Sequence, residues 1–196
     1  MVELLYPPHQ APQIPSPRAY MAESCPAGKE EMLPVVEPAG VVIGQSCRSY
    51  VHGGSKLLHP VVHLHIIDRF GRIFLQKRAM TKKLHPGKWD TAVGGHVSYG
   101  ESIREALFRE THEELDFYDF NPIFLRSYVY ENEQEKELIN VFAAVGNFDL
   151  HPVTDEVEEG RYWTDEEISA AVGSGVLTPN FEGEYALLHD SLVALL

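Results

Sequence analysis

Between Gly95 and Glu114 the chain reads GHVSYGESIREALFRETHEE. The spacing G-x5-E-x7-R-E-x2-E-E runs through Gly95, Glu101, Arg109, Glu110, Glu113 and Glu114. Six specified positions, each filled at roughly 5–7% by ordinary composition, coincide by chance with a probability on the order of 10⁻⁵ anywhere in the chain. From Glu101 onward the residues suit a helix. Ile103, Leu107, Glu110 and Glu114 recur at three- and four-residue steps along one stripe, with Ala106 and Glu113 beside it. An ordinary amphipathic helix turns its apolar stripe to the core and its charges to water. A stripe that passes from Ile and Leu into carboxylates instead aims negative charge at a partly enclosed place. Like charges at such spacing repel, and burying them unpaired is costly, so a bound cation accounts for them. Oxygen-only ligands point to magnesium or manganese. The competing reading is a solvated face in which Glu110, Glu113 and Glu114 pair with Arg104 and Arg109.

The 196 residues, 44% hydrophobic and 23% charged, fit one globular domain with a core. No apolar run approaches a membrane span, and the N-terminus lacks the basic start and sustained apolar stretch of a secretory signal, so cytoplasm is the expected location. Cys25 and Cys47 are too few for a disulfide framework and lack metal-type spacing, which agrees with a reducing compartment. A net charge of −13 disfavours nucleic-acid polymers as partners. A small anionic substrate then needs a local basic patch. QKRAMTKKLHPGK supplies Lys77, Arg78, Lys82, Lys83 and Lys88 just ahead of the acidic stretch, either as that patch or as a solvated turn.

Residues 1–30 carry Pro7, Pro8, Pro12, Pro15, Pro17 and Pro26 with little apolar periodicity and read as a flexible tail, so that Met21 or Met32 could serve as the start. The domain is expected over residues 31–196. LPVVEPAGVVIGQS reads as two short strands around a Pro-Ala-Gly turn, and HPVVHLHIID with RIFLQKR as a hairpin turning at Arg69 to Gly71. Trp89 to Val93 reads as a strand leading into a Gly94-Gly95 loop. Strands near Ile123 to Glu131, Leu138 to Val145 and Gly160 to Trp163 follow the helix, then helices from Asp165 and Phe181. Strands with helices before and after them fit an α/β sandwich around a mixed sheet.

The 95–114 spacing resembles the signature of the Nudix hydrolases, which cleave diphosphates of the form nucleoside diphosphate linked to another group. The resemblance implies an α/β/α sandwich and a small-molecule diphosphate substrate. Two positions depart from the family pattern: Thr111 stands where an apolar residue is usual, and Asp116 where glycine is usual. Asp tolerates the left-handed helix ending that glycine permits, so the change is expected to alter the cap and not the chemistry.

From about Leu33 onward the chain is also similar to one Nudix branch, isopentenyl diphosphate isomerase. RAMTKKLHPGKW has that enzyme's basic pattern, and Arg78 and Lys82 match its diphosphate-binding residues. Its metal site of three histidines and an E-x-E pair has counterparts in His52, His59, His96, Glu135 and Glu137, which implies a second metal site suited to manganese or zinc. His63 and His65, on the same strand as His59, read as satisfied structural residues. The resemblance breaks at the chemistry. The isomerase moves a proton between carbons with a cysteine thiol, and its position in WDTAVGGH holds Gly94, which can neither donate nor accept one. Glu110 and Glu113 stand where the isomerase has arginine and an aromatic residue, restoring a hydrolase's acidic set.

The expectation is a metal-dependent pyrophosphohydrolase. Glu110 and Glu114, with help from Glu113 and the Gly95 carbonyl, would hold magnesium. Glu101 and Arg109 would orient loop and helix, and Arg78 and Lys82 would bind phosphate oxygens. The general base is open among Glu113, Glu114 and Glu137. The rival readings are an isomerase-like carbon-acid enzyme and a catalytically silent nucleotide sensor.

Overall fold

A computed structural model describes Cys25, residues 30–152 and residues 157–196. The remainder of the proposed tail lies outside the described residues. The chain runs β1 (Met32–Val36), β2 (Val42–Cys47), α1 (Arg48–Val51), β3 (Leu58–Ile67), β4 (Ile73–Arg78), β5 (Trp89–Asp90) and β6 (Val93–His96). It continues through α2 (Ile103–Leu115), β7 (Ile123–Glu131), β8 (Lys136–Val145), β9 (Val157–Trp163), α3 (Asp165–Ala171) and α4 (Pro179–Val193). β1 and β2 form a two-stranded antiparallel sheet. The main sheet has the order β5-β4-β3-β8-β7, with β6 also pairing to β3 and β9 to β4. β3 and β8 run parallel and the other pairs antiparallel, so the sheet is mixed.

β3 is buried along all ten residues, as suits a central strand, although His59, His63 and His65 interrupt its apolar run. Its alternation divides the core. Val62, Leu64 and Ile66 pack with Ala106, Leu107 and Leu115 of α2 on one face, while Val61 and Ile67 pack with Ile168 of α3 and Phe181, Tyr185, Leu188 and Leu192 of α4 on the other. The α/β/α sandwich follows from this two-sided burial. One edge of β3 is shared: Ile66 and Ile67 pair with β4, whereas Val61 to Leu64 pair with β6. β4 and β6 therefore part company and leave a fork in the sheet.

The helix starts carry their sequence signals. Ser102 and Glu105 form a capping box at α2, Thr164 and Glu167 another at α3, and Thr178 caps α4 with Pro179 in the first turn. Asp116 ends α2 in the left-handed conformation, at φ 48°, as its place in the pattern predicts. Buried Thr111 satisfies its hydroxyl by donating to the Leu107 carbonyl at 2.6 Å.

Three expectations are corrected. Gly94 and Gly95 lie within strand β6 and not in a loop, and the strand read from Trp89 to Val93 is two short pieces. Glu101 precedes the helix instead of beginning it, because Ser102 takes the cap. Cys25 and Cys47 are joined by a disulfide with Cα atoms 5.8 Å apart, which withdraws the support that unpaired thiols gave to a reducing compartment. Among the described residues no helix is long and apolar enough to cross a membrane.

Candidate functional site

The fork between β4 and β6 is spanned by one carboxylate. Glu114, from the last turn of α2, accepts from Gln76 Nε2 on β4 at 2.8 Å and from the Gly94 backbone N–H on β6 at 3.3 Å through the same oxygen, Oε2. Burial and the neighbouring Glu110 push its carboxyl up to about 8, against the pull of Gln76 and Lys82. Glu110 lies one turn earlier, over Gly95, where a Cβ would overlap its carboxylate carbon. Burial raises it as well, opposed by Arg109. Two adjoining carboxylates that resist ionisation together are what a divalent cation between them would relieve.

Arg109 ties this region together. Its guanidinium donates to Glu101 Oε1 and Oε2 (both 2.9 Å), to the His96 carbonyl (2.8 Å), to Glu110 (2.8 Å) and to Glu113 (3.1 Å). Glu101 in turn accepts from the Ser98 N–H at 3.0 Å, so loop, strand and helix are fixed by one side chain. Glu113 differs from its two neighbours: its side chain is 53% exposed and pairs outward with Arg109. Glu110, Glu113 and Glu114 do not come together as a three-ligand cluster.

The histidines do. Among the described residues the one group of three or more metal-type side chains with converging atoms is His52, His59 and His96, whose ligand atoms lie within 4.8 Å of one another. His52 caps α1, His59 is on β3 and His96 ends β6. In all three rings Nε2 is buried without a hydrogen-bond partner. Leaving three buried imidazole nitrogens unsatisfied is costly, and a soft or borderline cation fits the gap. Burial first, then neighbouring cationic charge, holds His59 and His96 below the ordinary histidine range, favouring the neutral ligand form. Glu135 bonds His52 Nδ1, and Glu137 Oε1 stands 4.0 Å from His59 Nε2, so the two acids of the E-x-E pair border the same cluster. Burial, with Glu135 beside it, raises Glu137 to about 7.

Arg78 donates to the Leu84 carbonyl at 3.0 Å and to Asp90 at 3.2 Å. Asp90 also accepts from Thr178 at 2.9 Å, which links Arg78 to the start of α4. Lys82 is held below its ordinary value by burial and senses Glu114 and Glu110. His63 and His65, expected to be satisfied structural residues, are so at one nitrogen each, while His65 Nδ1 is buried without a hydrogen-bond partner. Nδ1 of His63 and Nε2 of His65 each stand 2.8 Å from the buried Glu184 carboxylate, which Tyr128 also meets at 2.6 Å. Burial opposes charge on His63, but Glu184, with Glu137 and Asp90, outweighs it and lifts the imidazole to about 9.

Sequence reasoning missed Gln76, Glu184, Asp90 and Arg48, the last felt electrostatically by both His96 and Lys82. Two of them left a signal. Gln76 is a polar residue in the apolar run of β4, and Glu184 sits among Phe181, Tyr185 and Leu188 on the buried stripe of α4.

A family model described as NUDIX domain matches residues 57–181. The chain is 33% identical over 148 residues to an isopentenyl-diphosphate Delta-isomerase of Leifsonia xyli, covering 70% of this chain and 77% of that one. It is 32% identical over 152 residues to an uncharacterized Nudix hydrolase of Yersinia pestis, covering 76% and 82%. Its fold matches the crystal structure of DR0079 from Deinococcus radiodurans with a TM-score of 0.66 and 23% identity, over 76% of this chain and 92% of that one.

Proposed function

The chain belongs to the Nudix domain family, and from that premise we propose that it is a metal-dependent pyrophosphohydrolase acting on a nucleoside diphosphate derivative or similar small organic diphosphate. The observation that carries this reading is the Glu114 carboxylate, buried in the sheet fork beside Glu110 with both groups resisting ionisation. Glu110 and Glu114, with Glu113 and the Gly95 carbonyl, would hold magnesium or manganese. When bound, the ion neutralises diphosphate charge and makes water a better nucleophile at neutral pH.

The residues of the chain supply the rest. Arg109 and Glu101 keep the helix and its preceding loop in register, so that Glu110 and Glu114 are held still. Arg78, fixed by Asp90, and Lys82, close enough to sense Glu114, would take the non-bridging phosphate oxygens. The proton of the attacking water goes to one of Glu113, Glu114 and Glu137. His52, His59, His96, Glu135 and Glu137 would hold a second ion, zinc or manganese, distinct from the magnesium. The functional domain is taken as residues 31–196.

An isomerase reading draws on the histidine cluster and the 33% identical relative. Gly94 opposes it, since no side chain there can move a proton. The test is incubation with a panel of nucleoside diphosphate derivatives, with and without magnesium, and chromatography of the phosphate products. Isopentenyl diphosphate is followed in parallel by NMR in deuterated water. Magnesium-dependent cleavage without carbon-bound proton exchange is expected. Exchange without cleavage establishes the isomerase, and binding without either establishes a sensor.

A further inference from the structure

Glu184, His63, His65 and Tyr128 form a buried polar group on the α4 face of the sheet that diphosphate hydrolysis does not by itself require. Such groups are costly to bury, and this one is nearly complete: three donors meet the two oxygens of Glu184. The two histidines differ in what remains. His65 is fully buried and its second nitrogen, Nδ1, is sealed from solvent without a hydrogen-bond partner. His63 is 8% exposed, its Nε2 is not among the sealed atoms, and no described residue bonds it.

The unpartnered edge of His63 faces a space kept open by a missing side chain. His63 pairs with Gly94 across β3 and β6. A Cβ placed on Gly94 would lie 3.4 Å from His63 Cδ2, 3.5 Å from its Nε2 and 3.7 Å from the Thr91 methyl. Any larger residue at position 94 would fill the volume before that edge. The same Gly94 donates its N–H to Glu114, and Glu137 and Asp90, the partner of Arg78, both act electrostatically on His63. The open imidazole edge thus adjoins Gly94, whose N–H meets the Glu114 carboxylate assigned to the diphosphate site. With Glu184 facing Nδ1, Nε2 is left as the hydrogen-bonding atom on the Gly94 side.

We propose that His63 is a specificity-determining residue, whose Nε2 edge beside Gly94 hydrogen-bonds an oxygen on the group carried by the diphosphate, so that the cleft selects polar, nucleoside-type diphosphates over hydrocarbon ones. Glu184 is its positioning residue, and Tyr128 and His65 hold Glu184. A hydrocarbon group at Gly94 would strip water from the imidazole edge and return no hydrogen bond, which is the strongest form of discrimination a small site has. This inference rests on the diphosphate reading of the neighbouring glutamates.

The test is binding in the full chain, with magnesium, of α,β-methylene-ADP and of methylenediphosphonate, which keeps the phosphorus-carbon-phosphorus unit but carries no attached group. In the native protein the nucleotide analogue should bind at least about tenfold more tightly, and His63→Gln should abolish that advantage while leaving methylenediphosphonate unaffected. A merely structural role would weaken both. With ¹⁵N-labelled histidine, the Nε2 resonance of His63 should move on adding the nucleotide analogue and not on adding methylenediphosphonate. Equal affinities in the native protein, or an advantage that survives the substitution, overturns the proposal. If the variant does not fold, the resonance decides, and an unmoved signal overturns it. No turnover is needed, so absence of hydrolysis across the substrate panel defeats the hydrolase reading separately.

Discussion

The Glu110 carboxylate occupies the space where Gly95 would carry a side chain. Gly95 and its neighbour Gly94 both lie in β6, and neither has a left-handed backbone. Their glycine character is therefore a matter of room and not of conformation, and the room serves different ends: at Gly95 it seats a carboxylate, at Gly94 it leaves a gap beside His63.

The two positions should respond differently to alanine. Gly95→Ala forces Glu110 aside from its place over the strand, and overpacking of this kind costs about 1–3 kcal/mol. Its melting temperature should drop and magnesium-dependent cleavage should collapse with it. Gly94→Ala meets only ordinary contacts, so its melting temperature should stay near the native one. Calorimetry on the pair checks this, and a Gly95→Ala protein as stable and active as the native one contradicts the assignment of Glu110.

Glu114→Gln retains shape and removes charge from the carboxylate that bridges β4 and β6. If the cation it helps to hold carries the chemistry, cleavage of a verified diphosphate should fall by at least about 10², the cost of losing one charge-stabilising group. Steady-state kinetics with saturating magnesium measures this. Unchanged turnover would remove Glu114 from the mechanism.

Much of this site was legible locally. The acidic stripe of α2 and the left-handed Asp116 each depend on residues within one or two helical turns, and the pattern records them; the Ser102–Glu105 capping box is equally local, yet a helix read from Glu101 passes over it. The β1–β2 and β3–β4 hairpins likewise announce themselves through turns between apolar runs. What escaped depends on chain segments far apart. Glu184 reaches His63 and His65 across 121 and 119 residues, and Cys25 meets Cys47 only because the backbone brings their Cα atoms close. No periodicity reports the fork between β4 and β6, so neither did any motif reveal that Gln76 and Gly94 share one carboxylate oxygen. His52, His59 and His96 come from separate segments, and only the likeness to the isomerase placed them together.

That histidine cluster should bind metal independently of the glutamates. Three buried, unpartnered Nε2 atoms predict that the dialysed protein retains or takes up one zinc or manganese ion per chain in addition to the magnesium. His96→Ala should lose that ion. Binding to the native state alone raises the melting temperature, so chelation should lower it in the native protein and leave the His96→Ala protein unmoved. Elemental analysis beside thermal denaturation gives both readings, and an equal metal content in the two proteins excludes the cluster as a metal site.

The Glu184–His63 pair should also make stability depend on pH in a defined window. His63 is raised from its ordinary 6.5 to about 9 in the fold, chiefly because Glu184 overcomes the effect of burial. Its contribution is complete below about pH 6.5, where folded and unfolded chains both carry the proton, and is lost as pH rises to about 9. The slope is about 1.4 kcal/mol per pH unit. Glu184 moves the other way. Despite burial, His63 and His65 hold it well below its ordinary 4.5, so its contribution is complete above about pH 4.5 and is lost as pH falls below that. Glu137, Asp90 and Tyr128 face the same pair, which makes a difference between proteins the proper measure. The stability of the native protein minus that of a His63→Leu, Glu184→Leu double variant, from urea denaturation at successive pH values, should be highest between about pH 4.5 and 6.5 and fall on both sides. A difference that is flat from pH 6.5 to 9 would show that His63 is not held as the cation by Glu184.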